Sequence, residues 1–163
     1  MKKITVFFAL LLVVLPSLAQ FSNRTMMVGN TSRSYRQYLP TGFDPTTEPN
    51  LPLVIALHGI GDNMTNFSNA GFHLLANTDR FLVVFPQGLP NFLSQNSWNN
   101  GTLLSSGADD ISFLSMLMAS MKVKYNIDLS RIYFTGFSMG GIMSYHMLCA
   151  LPSRIAAIAS VSG

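Results

Sequence analysis

Residues 136–141, Gly-Phe-Ser-Met-Gly-Gly, constrain the fold more than any other stretch of this sequence. β-branched and aromatic residues precede them at positions 131–135, which predicts a strand, and residues 142–148 carry no helix breaker, which predicts a helix. A strand that turns sharply into a helix needs small residues two before and two after the turn residue, because larger side chains would hold the two elements apart. Glycine occupies both positions, so the stretch predicts a tight turn with Ser138 at its apex.

Such a turn gives Ser138 the properties of a nucleophile. Its strained backbone lifts the hydroxyl clear of the sheet, and the helix that follows offers free N–H groups and a positive dipole end to a developing oxyanion. The alternative is a glycine-rich strand-to-helix turn without chemistry. The strand before the motif, the helix after it and the third glycine favour a catalytic serine.

The pattern along the rest of the chain predicts an α/β class with a mostly parallel sheet. Residues 20–33 are polar and rich in turn formers, which predicts a loosely ordered start, and residues 87–108 form a long polar loop. The remaining predictions are strands at 33–39, 51–57, 81–85, 131–135 and 154–161, and helices at 67–76, 111–125 and after Ser138. Ligands of such sheets gather beyond the carboxyl ends of the strands, where Ser138 and the glycine-bearing loop that begins at His58 both lie.

The first 19 residues have the form of an export signal. Lys2 and Lys3 precede an apolar run at 4–15, and residues 17–19 (Ser-Leu-Ala) fit a cleavage site, so we expect a mature chain that begins at Gln20. A membrane anchor is the alternative, but 12 apolar residues are short for crossing a bilayer. The sequence therefore predicts an exported protein, secreted or periplasmic, with no stable membrane insertion after cleavage.

The totals exclude several classes of protein. The 163 residues suffice for one domain, and 48% hydrophobic against 10% charged residues indicate a core-forming chain. Without Lys2 and Lys3 the charges nearly balance, at eight basic and seven acidic residues, and no basic run suggests a nucleic-acid partner. Cys149 cannot form an internal disulfide and is expected to be buried, and the cysteine and three histidines show no metal-ligand spacing.

Two motifs together resemble the α/β-hydrolase superfamily: Leu-His-Gly-Ile-Gly at 57–61 and Gly-Phe-Ser-Met-Gly-Gly at 136–141. The order and spacing of residues 53–63, 81–86, 109–114 and 127–141 resemble more closely the secreted polyhydroxybutyrate depolymerase and feruloyl esterase group, a carbohydrate esterase 1-like group. The resemblance implies a serine esterase that needs no cofactor. Its implied substrates are carboxylic esters, including feruloyl and acetyl esters on plant polysaccharides, and short polyesters.

Three site residues follow from this resemblance. Ser138 would be the nucleophile, and the backbone N–H groups of Met139 and Ile60 would be the oxyanion donors. Many relatives carry cysteine where this chain has Ile60, but a backbone donor does not depend on the side chain. Trp98 would be a platform for an aromatic or sugar group of the substrate, or a core packing residue.

None of the three histidines suits the role of base. His58 matches a structural position of the superfamily, and His73 is expected to pack on its helix or face solvent. His146 lies eight residues beyond Ser138 on the same helix, about 12 Å along the axis, which is too far to take the serine proton. No Asp or Glu follows Ser138, although the triad order in this fold is Ser, acid, His.

Residues 20–163 are therefore expected to be an N-terminal fragment of an esterase domain, truncated after the strand that follows the nucleophile helix. The acid- and base-bearing part would be absent, so this chain alone would be nearly inactive and would leave apolar surface uncovered beside its last strand. Alternatives are a non-catalytic protein that binds acyl or aryl groups, and a base supplied by another chain. A serine peptidase, thioesterase or acyltransferase of the same fold also stays open.

Overall fold

The computed structural model describes residues 20–163, so the predicted export signal lies outside the described residues. One six-stranded sheet organises this part of the chain, with a small two-stranded sheet beside it. The strands are β1 (Gln20–Val28), β2 (Thr31–Leu39), β3 (Leu53–Leu57), β4 (Leu82–Pro86), β5 (Leu89–Pro90), β6 (Asn96–Ser97), β7 (Ile132–Phe137) and β8 (Ala157–Val161). The helices are α1 (Met64–Phe67), α2 (Phe72–Asp79), α3 (Asp110–Tyr125) and α4 (Met139–Ala150).

The main sheet has the order β1-β2-β4-β3-β7-β8. β1 and β2 form an antiparallel hairpin that joins β4 in antiparallel fashion, whereas β4, β3, β7 and β8 run parallel. Leu57 at the end of β3 pairs with Gly136 of β7, so the carboxyl ends of these two central strands are level. The mostly parallel sheet predicted from the sequence is confirmed.

Two apolar clusters cover the two faces of the sheet. Alternate residues of β3 divide between them: Leu53, Ile55 and Leu57 pack in the larger cluster with α3 and α4, and Ala56 packs in the smaller one near α1 and α2. Burial on both faces explains why β3 is a continuous apolar run rather than an alternating one. At the other side of β7, β8 is half-exposed, and Val161 keeps 53% of its surface open to solvent.

The prediction of a loosely ordered segment at residues 20–33 is wrong, because residues 20–28 form a strand. β1 pairs with all nine residues of β2 around a two-residue turn, Gly29-Asn30, in which Gly29 has φ +58°. Gly-Asn is a typical hairpin turn, and it was the only signal available. Four of the nine residues of β1 are apolar, and Phe21, Met26 and Val28 pack against the two core clusters.

Two other predictions need correction. The single helix predicted at 67–76 is two short helices, because the chain breaks at Gly71, whose φ is +93°. Cys149 is exposed rather than buried, because α4 turns Met143 and Met147 toward the core and leaves Cys149 on its outer side. The other predicted strands and helices are confirmed to within three residues. Within residues 20–163, no helix combines the length and apolar character that a membrane crossing requires.

Candidate active site

Ser138 stands at the junction of β7 and α4, with φ +50° and ψ −118°. A non-glycine residue in this region is strained, and it persists only where its surroundings hold it. Two backbone hydrogen bonds do so: the Ser138 N–H donates to the Val161 carbonyl at 2.8 Å, and the Ile142 N–H donates to the Ser138 carbonyl at 3.1 Å. The hydroxyl itself has no hydrogen-bond partner among residues 20–163, so the geometry leaves it available for chemistry.

The glycines on either side of Ser138 are required by space. A Cβ on Gly136 would lie 2.3 Å from the carbonyl carbon of Gly140, and a Cβ on Gly140 would lie 2.2 Å from the carbonyl oxygen of Leu57. Both obstacles are backbone atoms, which cannot rotate aside. The close approach of β7 and α4 that the sequence predicts is therefore confirmed, and Gly140 brings α4 against β3 as well.

The segment after β3 runs alongside the serine. A Cβ on Gly59 would lie 3.7 Å from the Cβ of Ser138, which places Ile60 next to the turn. Within the described chain, the backbone N–H groups of Ile60 and Met139 have no hydrogen-bond acceptor. The loop that carries Ile60 is held from behind, because the Gly61 N–H donates to the Asn96 carbonyl at 2.8 Å. Two free donors beside Ser138, one on the loop after β3 and one at the first residue of α4, are what an oxyanion site requires.

Ser138, Met139 and Ile60 share the wall of one pocket of about 480 Å³. Most of the residues that line it are apolar, and no charged side chain contributes to it. The other residues that line it are Asn100, Thr102, Leu103, Leu104 and Ile142. Sequence reasoning missed these five. Four of them belong to a long loop without periodicity, and nothing local indicates which of its side chains turn toward Ser138. The fifth, Ile142, lies on α4 one turn beyond the serine.

Comparison with known protein families shows which family this chain belongs to. The sequence model of the family described as Esterase PHB depolymerase matches residues 33–163. The chain belongs to this esterase family. In keeping with that, it is 38% identical over 117 residues to a bifunctional acetylxylan esterase/xylanase of Neocallimastix patriciarum, and 30% identical over 149 residues to poly(3-hydroxyalkanoate) depolymerase C of Paucimonas lemoignei. It is also 30% identical over 136 residues to feruloyl esterase C of Emericella nidulans.

These matches cover most of the chain but only part of each relative. They span 71%, 90% and 80% of this chain, and 16%, 34% and 46% of the three relatives in the same order. Among solved structures, a ferulic acid esterase matches with a TM-score of 0.68 at 19% identity, over 87% of this chain and 59% of that one. The acetyl xylan esterase from Aspergillus awamori matches with a TM-score of 0.68 at 20% identity, over 86% and 53%. At such identities the structural matches show the fold, which is that of α/β-hydrolase esterases.

His58 has a structural role in this esterase fold, as the sequence predicts. Its Nδ1 lies 2.7 Å from the Gly59 carbonyl and its Nε2 accepts from the Gly88 N–H at 3.0 Å, so the ring is a neutral tautomer with both nitrogens engaged. Burial lowers the pKa of His58 below its usual 6.5, because the charged ring would lose its hydration. The ring therefore fixes the loop after β3 against the loop after β4 and has no free nitrogen for catalysis.

Trp98 is fully buried behind that histidine. Its indole N–H donates to the His58 carbonyl at 2.8 Å, and the two rings lie 5.0 Å apart. The structure thus contradicts the interpretation of Trp98 as a substrate platform, because the ring has no exposed face from which to hold a ligand. Core packing, the other interpretation, accounts for its position.

The remaining two histidines make no contact with Ser138. His73 on α2 packs edge-on against Phe21 and Tyr38, at 5.1 and 5.7 Å between ring centroids, which confirms helix packing. His146 is exposed two turns along α4, as its spacing from Ser138 predicts. Among residues 20–163, no histidine is placed to take the serine proton, and no group of three or more His, Cys, Asp or Glu side chains could hold a metal ion.

The sequence did not predict the buried ion pair between Arg33 and Asp110, which lies beside the pocket loop. Arg33 of β2 donates to Asp110 at 2.6 Å, donates to the Gln87 carbonyl at 3.1 Å and lies over the ring of Phe113 at 4.0 Å. The second oxygen of Asp110 accepts from the Asn99 N–H at 2.6 Å. Asp110 therefore clamps the loop as well as starting α3. Its neighbour Asp109 caps the helix, and the hydrogen bonds from Ser112 lower the pKa of that carboxyl.

Proposed function

We propose that the chain carries the nucleophile and the oxyanion site of a serine carboxylic-ester hydrolase that works through an acyl-enzyme on Ser138. The observation that supports this most directly is the strained Ser138 turn, which opens on a pocket also lined by Ile60 and Met139, whose N–H groups are free. Membership of an esterase family points to the same chemistry. These three residues remain proposed site residues, assigned from geometry and resemblance.

In the proposed reaction, the Ser138 oxygen attacks the ester carbonyl carbon and gives up its proton to a base. The electron pair of the carbonyl moves to its oxygen, where the N–H groups of Ile60 and Met139 stabilise the negative charge. Each such donor lowers the activation barrier by roughly 3 kcal/mol. Collapse of the intermediate expels the alcohol, which takes the proton, and leaves an acyl-serine. Water then attacks the acyl-serine and releases the acid and the free hydroxyl.

The base in this scheme is not supplied by the described residues. His58 has both nitrogens engaged, His73 packs on Phe21, and His146 is exposed two turns from the serine. The chain spans 34% and 46% of the depolymerase and feruloyl esterase relatives that it matches. We therefore propose that an acid and a histidine from outside these 163 residues complete the triad.

The proposed substrates are esters whose acyl group is apolar, because most of the pocket lining is apolar and none of it is charged. They are linked to a polysaccharide or form a polyester. The names of the relatives, which include acetylxylan and feruloyl esterases and a polyhydroxyalkanoate depolymerase, support these classes without choosing among them. We also propose that the protein acts after export, as the sequence of its first 19 residues predicts.

A covalent-capture experiment tests the serine separately from the missing base. The 163-residue chain is incubated with an activated aryl acetate, and its intact mass and peptide map are followed with time. We expect slow addition of one acetyl group, located on the peptide that contains Ser138 and absent from Ser138→Ala. Turnover should be low, since the oxyanion site alone gives roughly 10³-fold over water in a well-folded enzyme.

Two outcomes would contradict parts of this proposal. If Ser138 acquires no acetyl group in a chain whose folding is verified by circular dichroism, the serine is not a nucleophile and a protein that only binds acyl or aryl groups becomes the better interpretation. If the chain hydrolyses the ester at ordinary enzymatic rates and Ser138→Ala abolishes this, then a base is present within the 163 residues.

A further inference from the structure

One wall of the pocket is a short turn built around a single side chain. The carbonyl oxygen of the Asn100 side chain accepts from three donors: the Thr102 N–H at 3.3 Å, the Thr102 hydroxyl at 2.8 Å and the Ser105 hydroxyl at 3.1 Å. The Ser105 N–H also donates to the Thr102 carbonyl at 3.1 Å. Asn100 itself is only 9% exposed, so the side chain forms the inside of the turn and residues 102–105 wrap around it.

The turn presents Leu103 and Leu104 to the pocket above Ser138. Leu103 is 85% exposed, so packing does little to hold it, and its position depends on the backbone of the turn. An apolar side chain kept in water is expected to fold away unless the backbone prevents it. The hydrogen bonds to Asn100 thus account for the position of the pocket wall.

The two ends of the turn are anchored independently. On one side the Asn99 N–H donates to Asp110, and on the other the Asn91 side chain donates to the Leu104 carbonyl at 3.0 Å. These anchors fix where the loop enters and leaves the pocket. Between these anchors, at residues 100–103, the hydrogen bonds to the Asn100 side chain determine the backbone conformation.

We propose that Asn100 is a positioning residue that sets the acyl-group selectivity of the pocket by holding Leu103 and Leu104 over Ser138. The inference deepens the proposed function and rests on it. A rigid wall favours a flat, rigid acyl group that fills the space beside it, whereas a loose wall accepts flexible and rigid groups alike. Asn100 therefore acts through the turn and touches no reacting atom.

The residue type fits this role. Aspartate would accept the same three hydrogen bonds, and it would also remove the buried Asn100 side-chain nitrogen that has no partner among residues 20–163. An unpaired buried donor lowers the stability of the fold, so the presence of an amide rather than a carboxylate at position 100 needs an explanation. The pocket offers one: no charged side chain lines it, and a carboxylate in its wall would oppose the negative charge that the reaction places on the carbonyl oxygen.

Binding measurements test the proposal without requiring turnover. Ethyl cinnamate, with a rigid aryl acyl group, and ethyl butyrate, with a flexible one, are titrated by NMR into the Ser138→Ala chain, in which the serine cannot react. The readout is the ratio of the two Kd values, with the melting temperature of each variant recorded beside it. Failure of the acetylation experiment would bear on Ser138 alone and would leave this ratio intact.

A pair of neighbouring serines provides a matched comparison. Ser105→Ala removes one hydrogen bond to Asn100 and lies outside the pocket lining, whereas the Ser106 hydroxyl accepts from the Ala108 N–H at 3.3 Å and does not touch the turn. We expect the preference for ethyl cinnamate to fall about threefold in Ser105→Ala, in line with the loss of one modest hydrogen bond, and about thirtyfold in Asn100→Ala, because the effects of three such losses multiply. Ser106→Ala should leave the ratio unchanged, and Asn100→Asp, which keeps the acceptor oxygen, should retain most of it.

Either of two results would overturn the proposal. The first is an unchanged Kd ratio in Asn100→Ala and Ser105→Ala while their melting temperatures fall, since the turn would then serve stability only. The second is an equal fall in Ser105→Ala and Ser106→Ala, which would show that the whole loop responds rather than the Asn100 turn.

Discussion

The contact between α4 and β3 makes a sharp prediction for Gly140→Ala. The new Cβ would lie 2.2 Å from the Leu57 carbonyl oxygen and 2.6 Å from the His58 carbonyl oxygen. Both are backbone atoms at the end of a central strand, so the helix itself must move by about 1 Å to restore an ordinary carbon–oxygen contact. Displacement of α4 would carry Ser138 with it, since the serine begins that helix.

The expected cost follows from two opposing effects. Overpacking a tight site typically costs about 1–3 kcal/mol, and an obstacle made of backbone belongs at the upper end. Replacing glycine by alanine in a helix returns at most about 1 kcal/mol through propensity. We therefore expect Gly140→Ala to lower the free energy of unfolding by about 2 kcal/mol or more, and to abolish acetylation of Ser138 even where the variant is folded.

Gly59→Ala is the matched comparison, measured by urea denaturation under the same conditions. Its Cβ would approach the Phe137 side chain at 3.2 Å, and that ring is 49% exposed and can rotate away, so we expect a loss below about 1 kcal/mol. Equal stability of Gly140→Ala and the wild type, or an equal loss in the two variants, would refute the argument that backbone contact dictates the glycine.

Three further predictions concern buried polar groups. Arg33→Met should cost about 3–5 kcal/mol in urea denaturation because Asp110 is left buried without its partner. The double variant with Asp110→Leu should recover part of that loss but not all of it, because the Asn99 N–H loses its acceptor; no recovery would show that the pair is not coupled. Folding lowers the pKa of His58, so its contribution to stability is complete above the unfolded pKa of about 6.5. This contribution is lost as pH falls below 6.5, by at most about 1.4 kcal/mol per pH unit. His58→Gln should lack this part of the pH dependence, and an identical slope of unfolding free energy against pH in the variant and the wild type would refute the argument. Trp98→Phe should lose about 1–3 kcal/mol because the His58 carbonyl loses its buried donor, and a thermal shift within error of zero would contradict that role.

The parts of the site that the sequence predicts are those in which one position dictates one residue type. A Cβ on Gly136 or Gly140 would lie 2.2–2.3 Å from backbone atoms, so any chain that makes this turn must place glycine at both positions, and the pattern is readable. The alternation of long apolar runs with amphipathic stretches likewise identifies β3, β4, α3 and β7. Steric necessity and periodicity are local, and local rules can be read along the chain.

The parts that escaped prediction depend on partners distant in sequence. Arg33 and Asp110 are 77 residues apart, and nothing near either residue indicates that they meet in the core. The turn around Asn100 consists of polar residues that would suit any loop, and only the anchors at Asn91 and Asp110 bring it over the serine. The strand β1 escaped prediction for a different reason: its partner β2 is adjacent in sequence, but the polar run at residues 22–25 interrupts its apolar pattern.

The site divides its chemistry between backbone and side chains, and this division explains which residues are free to vary. An N–H donor imposes no residue type, so isoleucine at position 60 leaves the donor of the proposed oxyanion site in place, provided that the Gly61 N–H keeps the loop tied to Asn96. The side chain of Ile60 instead lines the pocket, where it is able to change the fit of the acyl group without changing the donor. Proton transfer has no backbone substitute, because it requires a group that titrates near neutral pH. In the proposed mechanism, the geometry of β3, β7 and α4 therefore supplies the stabilisation of the oxyanion, whereas turnover depends on a histidine that this geometry does not supply among the described residues.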